Sequence, residues 1–197
     1  INTGVYDIEN RPFYKTITPS MDILVSSNLE RLLFDLSGYD GARIARFMQE
    51  LSGKKRYAID DAMKAGLQKR YFAGCVDENG VRAEIKRTWE EDGYLMDTHT
   101  AVASAVLRAY QRQTGDKRQS VIVSTASPYK FGASVLGAVA GQEACGGLDD
   151  FACCRALAEL TGTKEPEQIL ALPNLPIRHT AVCEKDGMAQ AVIDAVK

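Results

Sequence analysis

Histidine is scarce in this chain, two residues in 197, and the five cysteines include no C-x-x-C pair. That scarcity excludes the usual zinc ligand sets, and an odd thiol count with Cys153 and Cys154 adjacent does not make a disulfide framework. Cys75, Cys145, Cys153, Cys154 and Cys183 are therefore expected to act as small buried apolar groups, and no metal site is expected. There is no apolar run of the roughly 20 residues that cross a bilayer, and no charged start followed by a short apolar core and a cleavage site. A cytoplasmic protein without a membrane partner is expected. Positive charge is not in excess either: 24 Lys and Arg against 26 Asp and Glu leave a net charge of −2. Such a chain has no field to gather a polyanion, so nucleic acid is not an expected partner. Gly137, Gly141, Gly146 and Gly147 do not form G-x-G-x-x-G, and neither a Walker sequence nor a G-x-S-x-G elbow occurs. An initiator methionine is missing as well. Ile1 leads straight into the turn-rich Asn2-Thr3-Gly4, so the chain is expected to begin inside a longer protein.

What is present suits a folded domain: 45% hydrophobic and 25% charged residues are enough to build a core. Residues 1–26 carry Gly4, Pro12 and Pro19 around short extended runs and read as loop and strand. From Ser27 the apolar spacing changes to that of helices. Ser27 with Glu30 forms a capping-box pattern ahead of Leu29, Leu32, Leu33 and Leu36. Asp40 caps a second stripe of Ile44, Phe47, Met48 and Leu51 with a stop at Gly53, and the two helices should pack together. A third helix follows Asp60 with Met63, Leu67 and Tyr71, and a fourth carries Val81, Ile85 and Trp89. Residues 27–93 are thus predicted to be a large helical insertion, and Asp60-Asp61 and Glu90-Glu91-Asp92 within it to be solvated helix ends.

Residues 94–197 read as the α/β part: a helix from Thr98 to Gln113 burying Val102, Val106 and Tyr110, a strand from Ser120, then a helix with Val135, Leu136 and Val139. Helix, strand, helix in that order predicts the C-terminal part of a doubly wound open sheet, an α/β fold. Further on, a helix over Asp149 to Leu160, a short one opening at Pro166, a strand from Arg178 to Cys183 and a last helix with Met188, Val192, Ile193 and Val196 inward complete the reading. The tetrapeptide His-Thr-Ala-Val at His99 and again at His179 is taken as chance.

Chemistry is expected where the strand at Val121-Ile122-Val123 ends in Ser124 and Thr125, because open α/β sheets bind ligands beyond the carboxyl ends of their strands. A hydroxyl there suits a neutral heteroaromatic nitrogen, which it satisfies without bringing a charge. The competing reading is that these hydroxyls only end the strand, and that Ser127, ahead of Pro128, only caps the next turn. Lys130 can neutralise a phosphate or carboxylate as a point charge, or stand in solvent. Asp97, His99 and Thr100 open a helix, where free amides hold anions; Asp97 as plain cap explains them equally. A Ser-His-Asp triad from Ser124 or Ser127, His99 and Asp97 is disfavoured, because the serines end a strand rather than sit on a strained elbow.

Four segments in fixed order, Asn2 to Asp7, Thr18 to Ile23 with Ser26 to Arg31, Asp97 to Val102, and Ser124 to Phe131, resemble threonine synthase in its bacterial and fungal branch. The likeness reaches about residue 131. It implies a pyridoxal-phosphate enzyme of the tryptophan-synthase-β type of fold that converts O-phospho-L-homoserine and water into L-threonine and phosphate. In that family the Schiff-base lysine and the glycine-rich phosphate loop precede the segment matching Asn2 to Asp7. The resemblance therefore implies that this chain is the C-terminal portion, that the N-terminal half of the same enzyme is its partner, that no residue here is catalytic, and that the fragment alone is inactive. Thr125 is similar to the family hydroxyl at the pyridine nitrogen, with Ser124 beside it; Ser127, Lys130, Asp97, His99 and Thr100 are implied as substrate-facing or supporting groups. Relatives commonly read Asp-Pro-His-Thr where this sequence has Thr98. The alternative is a stand-alone α/β module that binds a ligand or regulates without chemistry.

Overall fold

The turn at Thr3-Gly4 opens a short strand whose partner lies fifty residues on. In a computed structural model, which describes residues 1–196, β1 (Val5–Asp7) pairs antiparallel with β2 (Arg56–Ala58), Tyr6 opposite Tyr57. Between them lie a 3-10 turn at Pro19–Met21, α1 (Asn28–Leu36) and α2 (Gly41–Lys54). After β2 come α3 (Asp61–Arg70), α4 (Glu78–Asp92) and α5 (Thr98–Thr114). A 3-10 turn at Pro128–Phe131 runs into α6 (Gly132–Ala140), followed by α7 (Asp150–Thr161), α8 (Glu167–Ala171) and α9 (Met188–Ala195). Lys197, the last residue of the 94–197 segment, lies outside the described residues. Among the described residues no helix is long and apolar enough to cross a membrane, and no group of His, Cys, Asp and Glu could hold a metal ion.

Side-chain caps set most helix starts. Asp40, Asp60, Asp77, Asp97 and Asp149 each accept a hydrogen bond from a first-turn backbone N–H, which satisfies a donor the helix cannot pair. The capping box at Ser27 does not form: Ser27 already has helical backbone angles and its side chain caps nothing. Helix α2 runs through Gly53 to Lys54 and stops at Lys55, which has a φ of 59°. Glycine ends α4, α5 and α7, at Gly93, Gly115 and Gly162, all with positive φ.

Two apolar clusters form the interior. The first gathers Leu33, Ile44, Phe47, Leu51, Tyr57, Met63 and Leu67 from α1, α2, β2 and α3. Tyr57 stacks between Tyr6 and Phe47, with ring centroids 5.4 and 5.3 Å away, and burial pushes its phenol up to about 12. The second gathers Val81 and Ile85 of α4 with Leu95, Met96, Ala101, Val135, Leu136, Cys153, Cys154 and Leu157. The block 27–93 is therefore shared between both cores and contains β2. Between α4 and α5, Glu84 is buried yet accepts hydrogen bonds from Arg87 and Ser104, the latter at 2.6 Å. Burial raises its pKa, but the bonds from Arg87 and Ser104 and the charges of Arg87 and Arg108 outweigh it, leaving the carboxyl below its ordinary range. The face α5 buries holds Thr98, Thr100, Ala101 and Ser104, whereas Val102, Val106 and Tyr110 are half-buried.

The doubly wound sheet is not formed within this chain. The only sheet among the described residues is the β1 and β2 pair, and residues 120–125 have no strand neighbour, with Val121 86% and Val123 73% exposed. A strand exists only where a second one takes its amides and carbonyls. The strand expected over Arg178 to Cys183 is likewise irregular and exposed, and Met188, Val192, Ile193 and Val196 of the last helix region face solvent rather than inward. Largely helical content with one small sheet is what a portion of an α/β fold retains when its sheet neighbours lie elsewhere.

Candidate functional site

The start of α5 carries a connected polar cluster centred on Asp97. Asp97 is fully buried. Its Oδ1 accepts from the backbone N–H of His99 at 2.9 Å and of Thr100 at 3.4 Å, and lies 3.2 Å from His99 Nδ1. Its Oδ2 takes a short hydrogen bond from the Thr100 hydroxyl. Asp97 is thus a cap, and at the same time it fixes two neighbouring side chains. Thr98 is buried as the first helical residue, directly behind the Asp97 cap.

Thr100 Oγ1 and Ser124 Oγ are 3.3 Å apart and hydrogen-bonded. Thr100 is the donor here as it is toward the Asp97 carboxylate, its one hydroxyl hydrogen shared between the two acceptors. Ser124 and Thr125 are exposed at the end of the extended segment. Thr125 makes no hydrogen bond among the described residues, so its hydroxyl is open to a ligand. Ser127 does what a cap does: it accepts from the Tyr129 N–H at 3.3 Å and its carbonyl accepts from Lys130 N at 3.1 Å. Lys130 is exposed, with Nζ 5.6 Å from the Phe131 ring centroid, a cation over an aromatic face.

The structure therefore brings together Asp97, His99, Thr100 and Ser124, leaves Ser127 as a local cap and sets Lys130 over Phe131. Two members of the cluster had no signal of their own in the sequence. Ser20 gives its backbone N–H to His99 Nε2 at 3.2 Å, and Phe131 packs its ring 4.8 Å from the imidazole at 51°. The Thr-Pro-Ser run marks a turn, but which side chain caps its free amide is decided 79 residues away. Asp22, in the same turn, accepts from Thr16 N and Oγ1, and those two bonds hold its carboxyl below the ordinary carboxylate range. The cysteines divide as well. Cys153 and Cys154 are buried and Cys145 half-buried, as expected, but Cys75 and Cys183 are exposed. All five are free.

No family model matches the chain. It is 35% identical over 144 residues to threonine synthase-like 1 of Homo sapiens, a stretch covering 73% of this chain and 19% of the human protein. It is 32% identical over 129 residues to the threonine synthase of Pseudomonas aeruginosa, covering 66% of this chain and 27% of that one. Among solved structures, a PLP-bound threonine synthase from Brucella melitensis matches with a TM-score of 0.61 and 33% identity over 70% of this chain and 28% of its own. The yeast threonine synthase matches over 98% of this chain and 38% of its own, with a TM-score of 0.73 and 25% identity. The chain spans between 19% and 38% of the length of these relatives.

Over nearly its whole length the backbone matches part of an α/β enzyme fold. The chain is homologous to part of the threonine synthases and threonine synthase-like proteins.

Proposed function

We propose that this chain is the C-terminal portion of a threonine synthase, which converts O-phospho-L-homoserine and water into L-threonine and phosphate with pyridoxal phosphate. The observation that carries the reading is spatial. Three of the segments that resemble the family, separated by up to about a hundred residues, converge through the Ser20 to His99 hydrogen bond, the Thr100 to Ser124 hydrogen bond and the His99 to Phe131 ring contact.

The residues present fit one end of the cofactor. Thr125, exposed and without a hydrogen-bond partner among the described residues, would meet the pyridine nitrogen, and Ser124, held by Thr100, would stand beside it. Bound there, pyridoxal phosphate supplies the electron sink, and the protein tunes it by what touches the ring nitrogen. A hydroxyl donates to that nitrogen without adding a negative charge, so it does not force the ring to carry a proton. Lys130 offers a cation at the same mouth for an anionic group of the substrate. The Schiff-base lysine and the loop for the cofactor phosphate belong to the N-terminal half, so the isolated chain is inactive. A stand-alone regulatory module would have covered Val121 and Val123, which are exposed here.

The test is Thr125→Ala in the complete polypeptide. Folding should be unchanged, the absorption of the bound cofactor should shift, and kcat should fall roughly tenfold to hundredfold, the worth of one well-placed hydrogen bond. Unchanged absorption and turnover would remove Thr125 from the site.

A further inference from the structure

The stretch Thr16 to Asp22 has no regular structure beyond its 3-10 turn, yet its amides are accounted for. Locally, Thr16 N–H goes to Asp22, Thr18 N–H to Thr16 Oγ1, and Met21 N–H to the Thr18 carbonyl. Two amides reach far along the chain: Ile17 N–H to Glu78 Oε1 at 3.1 Å, and Ser20 N–H to His99 Nε2 at 3.2 Å. Glu78 and His99 stand in the first turns of α4 and α5. The loop is therefore located by two side-chain acceptors at two helix starts.

His99 is the more informative anchor because its two nitrogens are assigned by their neighbours. Ser20 N–H can only be satisfied by a lone pair, so Nε2 is bare. A neutral imidazole then carries its proton on Nδ1, which faces Asp97 Oδ1 at 3.2 Å. Buried Asp97 accepts it and is itself oriented by Thr100 and the helix amides. On the other side, the ring rests on Phe131, the last residue of the Ser124 to Phe131 loop. One imidazole thus separates and spaces two loops, and the Asp97 to Thr100 to Ser124 chain continues to the hydroxyl beside Thr125.

We propose that His99, protonated on Nδ1, is a positioning residue: it pins the Thr16 to Asp22 loop at a fixed distance from the Ser124 to Phe131 loop. Its effect on turnover rests on the threonine synthase reading; its tautomer and its hold on Ser20 do not.

Three variants of the complete polypeptide separate the contacts. In His99→Gln a side-chain oxygen at the Nε2 level still accepts from Ser20. In His99→Asn the donor toward Asp97 remains but the reach to Ser20 is lost. His99→Phe keeps only the ring. The Ser20 amide should exchange with deuterium at a similar rate in wild type and His99→Gln, and about tenfold or more faster in the other two, the loss of one hydrogen bond. With pyridoxal phosphate bound, kcat for O-phospho-L-homoserine should stay within about threefold of wild type in His99→Gln and fall roughly tenfold to hundredfold in His99→Asn and His99→Phe, as expected for misplaced loops. In wild type the nitrogen-15 shifts of His99 should show a protonated Nδ1 and a bare Nε2. The proposal is overturned if the proton sits on Nε2, if His99→Asn matches His99→Gln, or if kcat falls only in proportion to the unfolded fraction. Should the variants fail to fold, the wild-type nitrogen shifts still decide. Absence of turnover in wild type would instead sink the assigned reaction, while exchange and nitrogen shifts would still judge the anchor.

Discussion

Gly132 has no room for a side chain. A Cβ there would collide with Cys154 Sγ, with the Cys154 backbone 3.4 Å away, so Gly132→Ala should destabilise by about 1–3 kcal/mol through overpacking. Cys154→Ala removes the colliding sulfur, and the double variant should recover most of that loss; a denaturant-midpoint cycle measures it. The same thiol predicts an alkaline weakness. Burial, then the charge of Glu165, pushes Cys154 from 9.0 up to about 11. A group that holds its proton more tightly when folded supports the fold fully below pH 9 and loses that support as pH rises to about 11. Cys154→Ala should flatten the stability profile between those values, and Cys154 should resist thiol reagents at pH 8 until the protein unfolds. At this scale Asp97, His99, Thr100 and Ser124 were singled out from the sequence, and their side chains do meet. Ser20 and Phe131 were not, because a backbone amide has no sequence signature and an aromatic ring reads first as core.

Among the elements, helices were readable and strands were not, for a physical reason. A helix satisfies its own amides, so a stripe such as Ile44, Phe47 and Leu51 with Asp40 ahead of it is enough to define α2. The apolar run at Val121 is equally strand-like in sequence, but no strand among the described residues takes its amides and carbonyls. Helix α5 shows another limit: its buried face is small and hydroxylic, so spacing of valines pointed to the wrong side. The caps differ in weight by burial. Asp40→Ala removes one exposed cap bond and should cost about 1 kcal/mol. Asp97→Ala strips partners from two amides, the Thr100 hydroxyl and His99 Nδ1 around a buried carboxylate, and should cost about 3 kcal/mol or more. Urea titration of both variants checks the ranking; equal costs would mean that Asp97 is no more than a cap.

For the whole molecule, the exposed apolar residues are the feature a sequence cannot announce. Val121, Val123, Ile177 and Val182 are all more than 70% exposed, and an unpaired apolar edge invites association. The chain produced alone should self-associate with rising concentration in sedimentation velocity. The pair Val121→Lys and Val123→Glu should suppress that association, yet destabilise the complete polypeptide by about 3 kcal/mol or more, because there the charges would be buried. A complete polypeptide indifferent to the pair would place no sheet neighbour at this edge.

The two cores also come labelled by nature. Trp89, the single tryptophan, packs against the cluster built on α4, α6 and α7, whereas the Tyr6 and Tyr57 stack sits in the other. Indole fluorescence therefore watches that half of the interior melt, and setting its midpoint against that of the far-ultraviolet helix signal, to which both halves contribute, reads out whether the halves let go together.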